Sequence, residues 1–208
     1  MEHTKEKILH TALELFSEKG FDGTSMQDIA GRVGLTKAAL YRHFAGKEAL
    51  FDALIESLRA HYEAGLGAAA ENPPVPGSPA ELVATSMAQV RFTVADETII
   101  RVRRLLTLSQ FRNAHIAAAA DEYFHAGLER MYTAVFAGMM ERGLLRKTDP
   151  SLLALEYVAP VGELIRLCDR EPQKTEETLA EIERFLNGFI RVWEKKADEN
   201  HDHSRAKP

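Results

Sequence analysis

The sequence predicts an all-α protein in which a three-helix head leads through a long helix into a helical bundle. Three observations carry this. Residues 24–47, TSMQDIAGRVGLTKAALYRHFAGK, spell two short helices around a glycine-centred turn. Beyond them apolar residues recur at helical spacing, with no strand alternation, internal repeat or glycine-rich phosphate loop. The chain has 208 residues, 45% of them hydrophobic, which is too long for a three-helix head alone and enough to bury a second core.

The first helix has Thr4 as its expected cap, a buried face of Ile8, Leu9, Ala12, Leu13, Leu15 and Phe16, and Gly20 as its stop. Phe21 is expected to fold back into the head. Thr24 and Ser25 are both candidate caps for the second helix, since Gln27 and Asp28 follow them at capping-box spacing. Met26, Ile29, Ala30 and Val33 then share one face, and Gly34 stands where a left-handed C-cap is wanted. Leu35 plugs the turn and Thr36 caps the third helix, whose core-facing side is Leu40 and Phe44. Lys37, Ala38, Tyr41, Arg42 and His43 are left to face outward.

Two helices joined in this way form a helix-turn-helix, and the second helix can enter the major groove. Between Asp28 and Glu48 there is no acidic residue, whereas Arg32, Lys37, Arg42 and Lys47 are present. The excess is local, because residues 1–50 carry Lys or Arg at 5, 7, 19, 32, 37, 42 and 47 against Asp or Glu at 2, 6, 14, 18, 22, 28 and 48. The whole chain is at −5 with pI near 5.9, which excludes a nonspecific polyanion coat and favours a small patch that meets phosphate in one orientation. Lys47 sits in the first turn of the fourth helix, where a cation opposes the macrodipole. Beside free backbone N–H groups it reads as a phosphate clamp at the edge of the recognition helix.

The strings GFDGTSMQDIA, VGLTKAALYRHF and KEAL resemble the N-terminal head of the TetR family of bacterial transcriptional regulators, over about residues 5–54. By that resemblance Thr36, Lys37, Ala38, Tyr41 and His43 hold base- and phosphate-contacting positions, Ser25 a phosphate contact, and Lys47 the phosphate contact after the recognition helix. Ala38 stands where the family often has Gly or Pro, and Gly46 where Ser or Asn often caps the fourth helix.

The linker Asn72-Pro-Pro-Val-Pro-Gly-Ser-Pro79 ends the fourth helix. Helices are expected at 79–94, 97–108, 113–142, 149–169 and 174–196. In the last of these Leu179, Ile182, Leu186, Phe189 and Trp193 step by 3, 4, 3, 4, an a/d seam, and Val158, Val161 and Ile165 lie on the helix before it. These eight residues are the expected dimer interface. The resemblance implies the same, since the family dimerises through its last two helices. It also implies a small-molecule pocket in the middle helices, for which Met87, Arg91, Arg104, Leu108, Phe111, His115, Tyr123 and Phe124 are the candidates. The charges of Arg101-Val-Arg-Arg104 read as exposed charge.

No metal-ligand spacing, nucleophile constellation or acidic pair demands catalysis, so neither enzyme, metal nor cofactor is expected. No apolar run reaches the ~18 residues a bilayer needs, and the charged N-terminus does not read as a signal peptide. A cytoplasmic setting is expected, in agreement with the single Cys168. The domain reading is 1–46 for the DNA-binding head, 47–198 for effector binding and dimerisation, and 199–208 as a disordered tail. The functional reading is a homodimeric repressor released from a palindromic double-stranded operator by an unknown small-molecule effector. The alternative is a ligand-independent DNA-binding dimer or adaptor.

Overall fold

The computed structural model describes residues 2–66 and 74–195, so the expected tail and the start of the proline-rich linker, 72–73, lie outside the described residues. The helices are α1 Glu2–Lys19, α2 Met26–Val33, α3 Lys37–His43, α4 Lys47–Leu66, α5 Pro79–Ala95, α6 Glu97–Ser109, α7 Ala114–Asp121, α8 Gly127–Glu141, α9 Pro150–Arg170 and α10 Thr175–Trp193. No strand is present among the described residues. A π turn, Glu122–Ala126, divides the helix expected over 113–142 into α7 and α8, and a 3₁₀ turn, Pro172–Lys174, leads into α10. The first helix begins two residues before Thr4, which therefore does not cap it.

The chain divides into two compact units, residues 1–68 with 92–125 and residues 69–91 with 126–208. The first unit thus takes in α4, α6 and α7 as well as the head, and the boundary expected at residues 46 and 47 does not separate compact bodies. Its core is one cluster in which Ile8, Phe16, Phe21, Ile29, Leu40, Leu50 and Phe51 join Ile99, Leu105 and Ile116. Arg101 donates to Glu14 at 3.0 Å, and the Ser109 hydroxyl accepts from the Phe21 N–H at 3.1 Å. The expectation of exposed charge over 101–104 holds for Arg104 but fails for Arg103, which is 2% exposed and donates to the Thr93 carbonyl at 3.2 Å. A buried guanidinium needs such acceptors, because desolvation without them costs several kcal/mol.

The second unit packs α8 against α9 and α9 against α10. Its centre is aromatic: Phe136 lies 5.3 Å from Tyr157, which lies 4.9 Å from Tyr132 and from Phe189. The Tyr157 hydroxyl donates to Ser86 at 2.8 Å, and Tyr132 donates to Gln89 at 3.2 Å, so the phenols enter the core with partners. After α10, the Arg146 N–H donates to the Trp193 carbonyl at 2.9 Å and the Lys195 N–H to the Leu144 carbonyl at 3.1 Å, tying the helix end to the α8–α9 turn.

Gly138 admits the linker segment at Val75. A Cβ there would sit 2.6 Å from Val75 Cγ2. Arg142 holds the same segment by donating to the Val75 carbonyl at 2.9 Å. Gly138→Ala is expected to lower stability by about 1–3 kcal/mol through overpacking, measured by denaturant unfolding; unchanged stability would mean that Val75 gives way freely.

This packing corrects the expected dimer seam. Val158, Leu179, Ile182, Leu186 and Phe189 are buried within their own chain, because the a/d stripe of α10 faces its own unit. Val161, Ile165 and Trp193 are half-buried, and the Arg146 guanidinium lies 5.5 Å from the Trp193 ring centre. The large apolar residues left exposed on α9 and α10 are Leu152, Leu155 and Val192.

Candidate nucleic-acid interface

Ser25 caps α2. Its hydroxyl accepts from the Asp28 N–H at 3.1 Å and donates to the Asp28 carboxylate at 2.6 Å, while its own N–H reaches that carboxylate at 2.8 Å. These hydrogen bonds hold the Asp28 carboxyl below the usual carboxylate range. The Ser25 hydroxyl proton is therefore committed within the cap, and contact with a phosphate requires it to turn. Thr24, the other candidate cap, is buried instead and donates to the Leu15 and Gly20 carbonyls at 3.2 and 3.1 Å.

At the other end of α2, Gly34 takes φ +83°, and both its N–H and that of Leu35 bond to the Ala30 carbonyl, at 3.0 and 2.9 Å. This left-handed residue makes the sharp turn affordable only to glycine without strain. Lys7 adds a cation at the helix end by donating to the Val33 carbonyl at 3.2 Å. Thr36 then caps α3 through the Ala39 N–H at 3.2 Å, and Leu40 and Phe44 bury one side of the helix.

The opposite side is free. Lys37, Ala38, Tyr41 and Arg42 are exposed and His43 is half-buried. The Lys37 ammonium lies 5.9 Å from the Tyr41 ring centre, a spacing that orders both side chains without covering them. Thr36 is exposed at the start of this face.

Lys47 is where the sequence expectation needs revision. Its ammonium donates to the Phe21 carbonyl at 2.8 Å and lies 4.5 Å from the Phe21 ring centre. It is thus drawn across the α1–α2 turn, which it staples to the first turn of α4, and it does not project as a free clamp. An ammonium has three donors, so this leaves capacity for an anion. Lys47 also lines an open cleft of about 410 Å³ with Lys37, Tyr41, Ser25 and Gln27. Asp22 and Glu48 stand on the same rim, which limits indiscriminate attraction of polyanions.

The residues suggested for an effector pocket fall in both units and differ in exposure. In the first unit Phe111 is 87% exposed and Leu108 52% exposed, Arg104 is exposed, and His115 bonds to Asp52 at 2.6 Å on the surface. Tyr123 and Phe124 are partly buried in that unit's core. In the second unit Met87 is buried and Arg91 exposed. Helical spacing placed aromatic and basic residues on common stripes, but it could not tell which stripe faces inward.

The family model described as bacterial regulatory proteins, tetR family, matches residues 8–54, the stretch that forms α1, α2, α3 and the start of α4. The head belongs to the TetR family. Over 48 residues, 23% of this chain, it is 50% identical to the negative transcriptional regulator IcaR of the icaADBC biofilm operon in Staphylococcus aureus. The Staphylococcus epidermidis IcaR matches over 53 residues at 45% identity, 26% of this chain. These matches span 26% and 29% of the two relatives' own lengths. Solved TetR-type structures share the fold over nearly the whole chain. SmeT, the repressor of the SmeDEF multidrug efflux pump of Stenotrophomonas maltophilia, aligns with TM-score 0.70 at 20% identity, covering 93% of this chain and 91% of its own. The flavonoid-responsive regulator FrrA aligns with TM-score 0.68 at 24% identity, covering 95% and 100%. Among the described residues no helix is long and apolar enough to cross a membrane.

Proposed function

We propose that the protein is a TetR-type transcriptional repressor that binds a palindromic DNA operator as a homodimer and leaves it when a small molecule binds among the helices that follow the head. The observation that carries this reading is the exposed face of α3, Lys37, Ala38, Tyr41 and Arg42, presented beside the cleft that Lys47 and Ser25 line. Such a face has the size and charge to enter a major groove while the cleft receives the flanking phosphate. Repression is supported by IcaR, a negative regulator, and SmeT, a repressor, and a small-molecule effector by a SmeT–triclosan complex.

Dimerisation is assigned to the outer surface of α9 and α10, where Leu152, Leu155 and Val192 are exposed, with Val161, Ile165 and Trp193 at its margin. Two heads related by two-fold symmetry then read two half-sites. An effector that prefers a head spacing unsuited to consecutive major grooves lowers operator affinity by that preference, about 1–3 kcal/mol in most coupled systems. The setting for this work is the cytoplasm.

Selection of bound fragments from random DNA, followed by a metabolite library that includes flavonoids and triclosan, tests the reading. A palindromic consensus released by at least one compound is expected. Recovery of no consensus would sink the operator reading, and a consensus that no compound releases would favour a DNA-binding dimer without effector.

Lys37→Ala is expected to relax preference at particular base pairs by about 1–3 kcal/mol, because a lysine in the major groove reads guanine acceptors. Repeating the selection with the variant checks this; equal loss on all sequences would make Lys37 a phosphate contact.

A further inference from the structure

In the first unit the chain segment 92–125 is held at both ends by one side chain of α4. Near its start, the Thr93 hydroxyl lies 3.5 Å from the Tyr62 hydroxyl and the Phe92 ring packs edge-on at 6.0 Å. At its close, the Tyr123 hydroxyl bonds to the Tyr62 hydroxyl at 2.7 Å, the rings 6.1 Å apart. The fully buried Arg103 of α6 donates to the Thr93 carbonyl at 3.2 Å beside this group. Tyr123 belongs to the π turn, Glu122–Ala126, after which the chain passes into the second unit. Burial raises both phenols above their usual range, Tyr123 well above it, so each hydroxyl keeps its proton.

A π turn holds one residue more than an α-helix accommodates, and such turns are rare and concentrated at functional sites. Returning it to α geometry shifts the register by one residue and swings Tyr123 by about 100° around the helix axis. That movement is incompatible with the 2.7 Å bond to Tyr62. A return to α register at this turn would therefore break the hold on Tyr62. Tyr62 lies on α4, whose first residue, Lys47, carries the contact to Phe21 in the head.

We propose that Tyr62 is a positioning residue for DNA binding, and that the π turn sets α4 through the Tyr62–Tyr123 bond. This rests on the operator reading above. A change of helix register at 122–126 releases Tyr62, and α4 loses this anchor.

The test uses the full chain and the variants Tyr62→Phe, Tyr123→Phe and their double, each lacking only hydroxyl oxygen, with Thr93→Val as a companion should any of them fold poorly. Amide exchange, thermal unfolding and affinity for the selected DNA fragment are measured together. Each single variant should speed exchange over 122–126 and over α4, and lower DNA affinity about fivefold or more with the salt slope unchanged. The double variant should do little more than Tyr62→Phe alone, because the Tyr62–Tyr123 bond is already lost in each single variant and Tyr62→Phe also loses the Thr93 contact. Additive effects, exchange that rises evenly across the chain, or wild-type exchange in α4 would overturn the proposal. If the parent protein selects no DNA, the operator reading fails, while the exchange pattern still decides whether the π turn governs α4.

Discussion

Phe189→Ala is expected to destabilise the folded chain by about 3–5 kcal/mol, to the same extent at low and high protein concentration. Phe189 is buried and sits 4.9 Å from Tyr157, 5.9 Å from Phe136 and 6.2 Å from Phe185, so its removal opens a cavity inside the second unit. Leu155→Glu should behave in the opposite way. Leu155 is 46% exposed on α9, so a charge there costs the monomer little and the proposed dimer much. Denaturant unfolding and sedimentation of both variants across a concentration series check this pair. A Phe189→Ala protein of parental stability that sediments as a monomer would return the α10 stripe to the role of a dimer seam.

Lys47→Ala carries the second large effect. The variant loses a charged hydrogen bond to the Phe21 carbonyl and the ammonium's contact with the Phe21 ring. Hydrogen bonds to charged groups contribute roughly 1.5–3 kcal/mol, and partial exposure places this one at or below the lower end. DNA binding should weaken on every sequence, and the slope of log K against log salt should flatten by about 1. Lys47→Arg should recover the slope more fully than the stability, since a guanidinium keeps the charge but not the geometry of the Phe21 contact. Binding titrations at several salt concentrations with parallel thermal unfolding separate the two roles. Weakened binding at an unchanged slope would confine Lys47 to scaffolding the α1–α2 turn.

The head was legible because its signals are local. Ser25 and Asp28 are three residues apart, Gly34 follows its helix directly, and Thr36 bonds three residues on, so each cap forms between near neighbours whatever the rest of the chain does. The outward set Lys37, Ala38, Tyr41 and Arg42 followed from the same periodicity once Leu40 and Phe44 were assigned inward. The contact of Lys47 with Phe21 was not legible, because it joins residues 26 apart across two helices. Nor was the link of Phe21 to Ser109, 88 residues apart, which gathers α6 into the same compact unit as the head.

In the second unit the helices were legible and their facing was not. The stripe from Leu179 to Trp193 fits a dimer seam and a monomer core equally well as a pattern, and packing against α8 and α9 selected the core. In the first unit Leu108 and Phe111 likewise share helical spacing with buried neighbours yet stand in solvent. The π turn left no mark in hydrophobic periodicity, since it inserts a single residue into an otherwise continuous helix.

The sequence by itself determined the all-α class, the caps and turn of the helix-turn-helix, and the side chains offered by α3, because hydrogen bonds and spacing within one or two turns are enough to decide these. Only the tertiary structure decided that Lys47 is anchored, that the α10 stripe is spent within its own chain, and that Tyr62 meets Tyr123. Those outcomes depend on which helix arrives from far along the chain to cover each face, and a period of 3.6 residues carries no information about that.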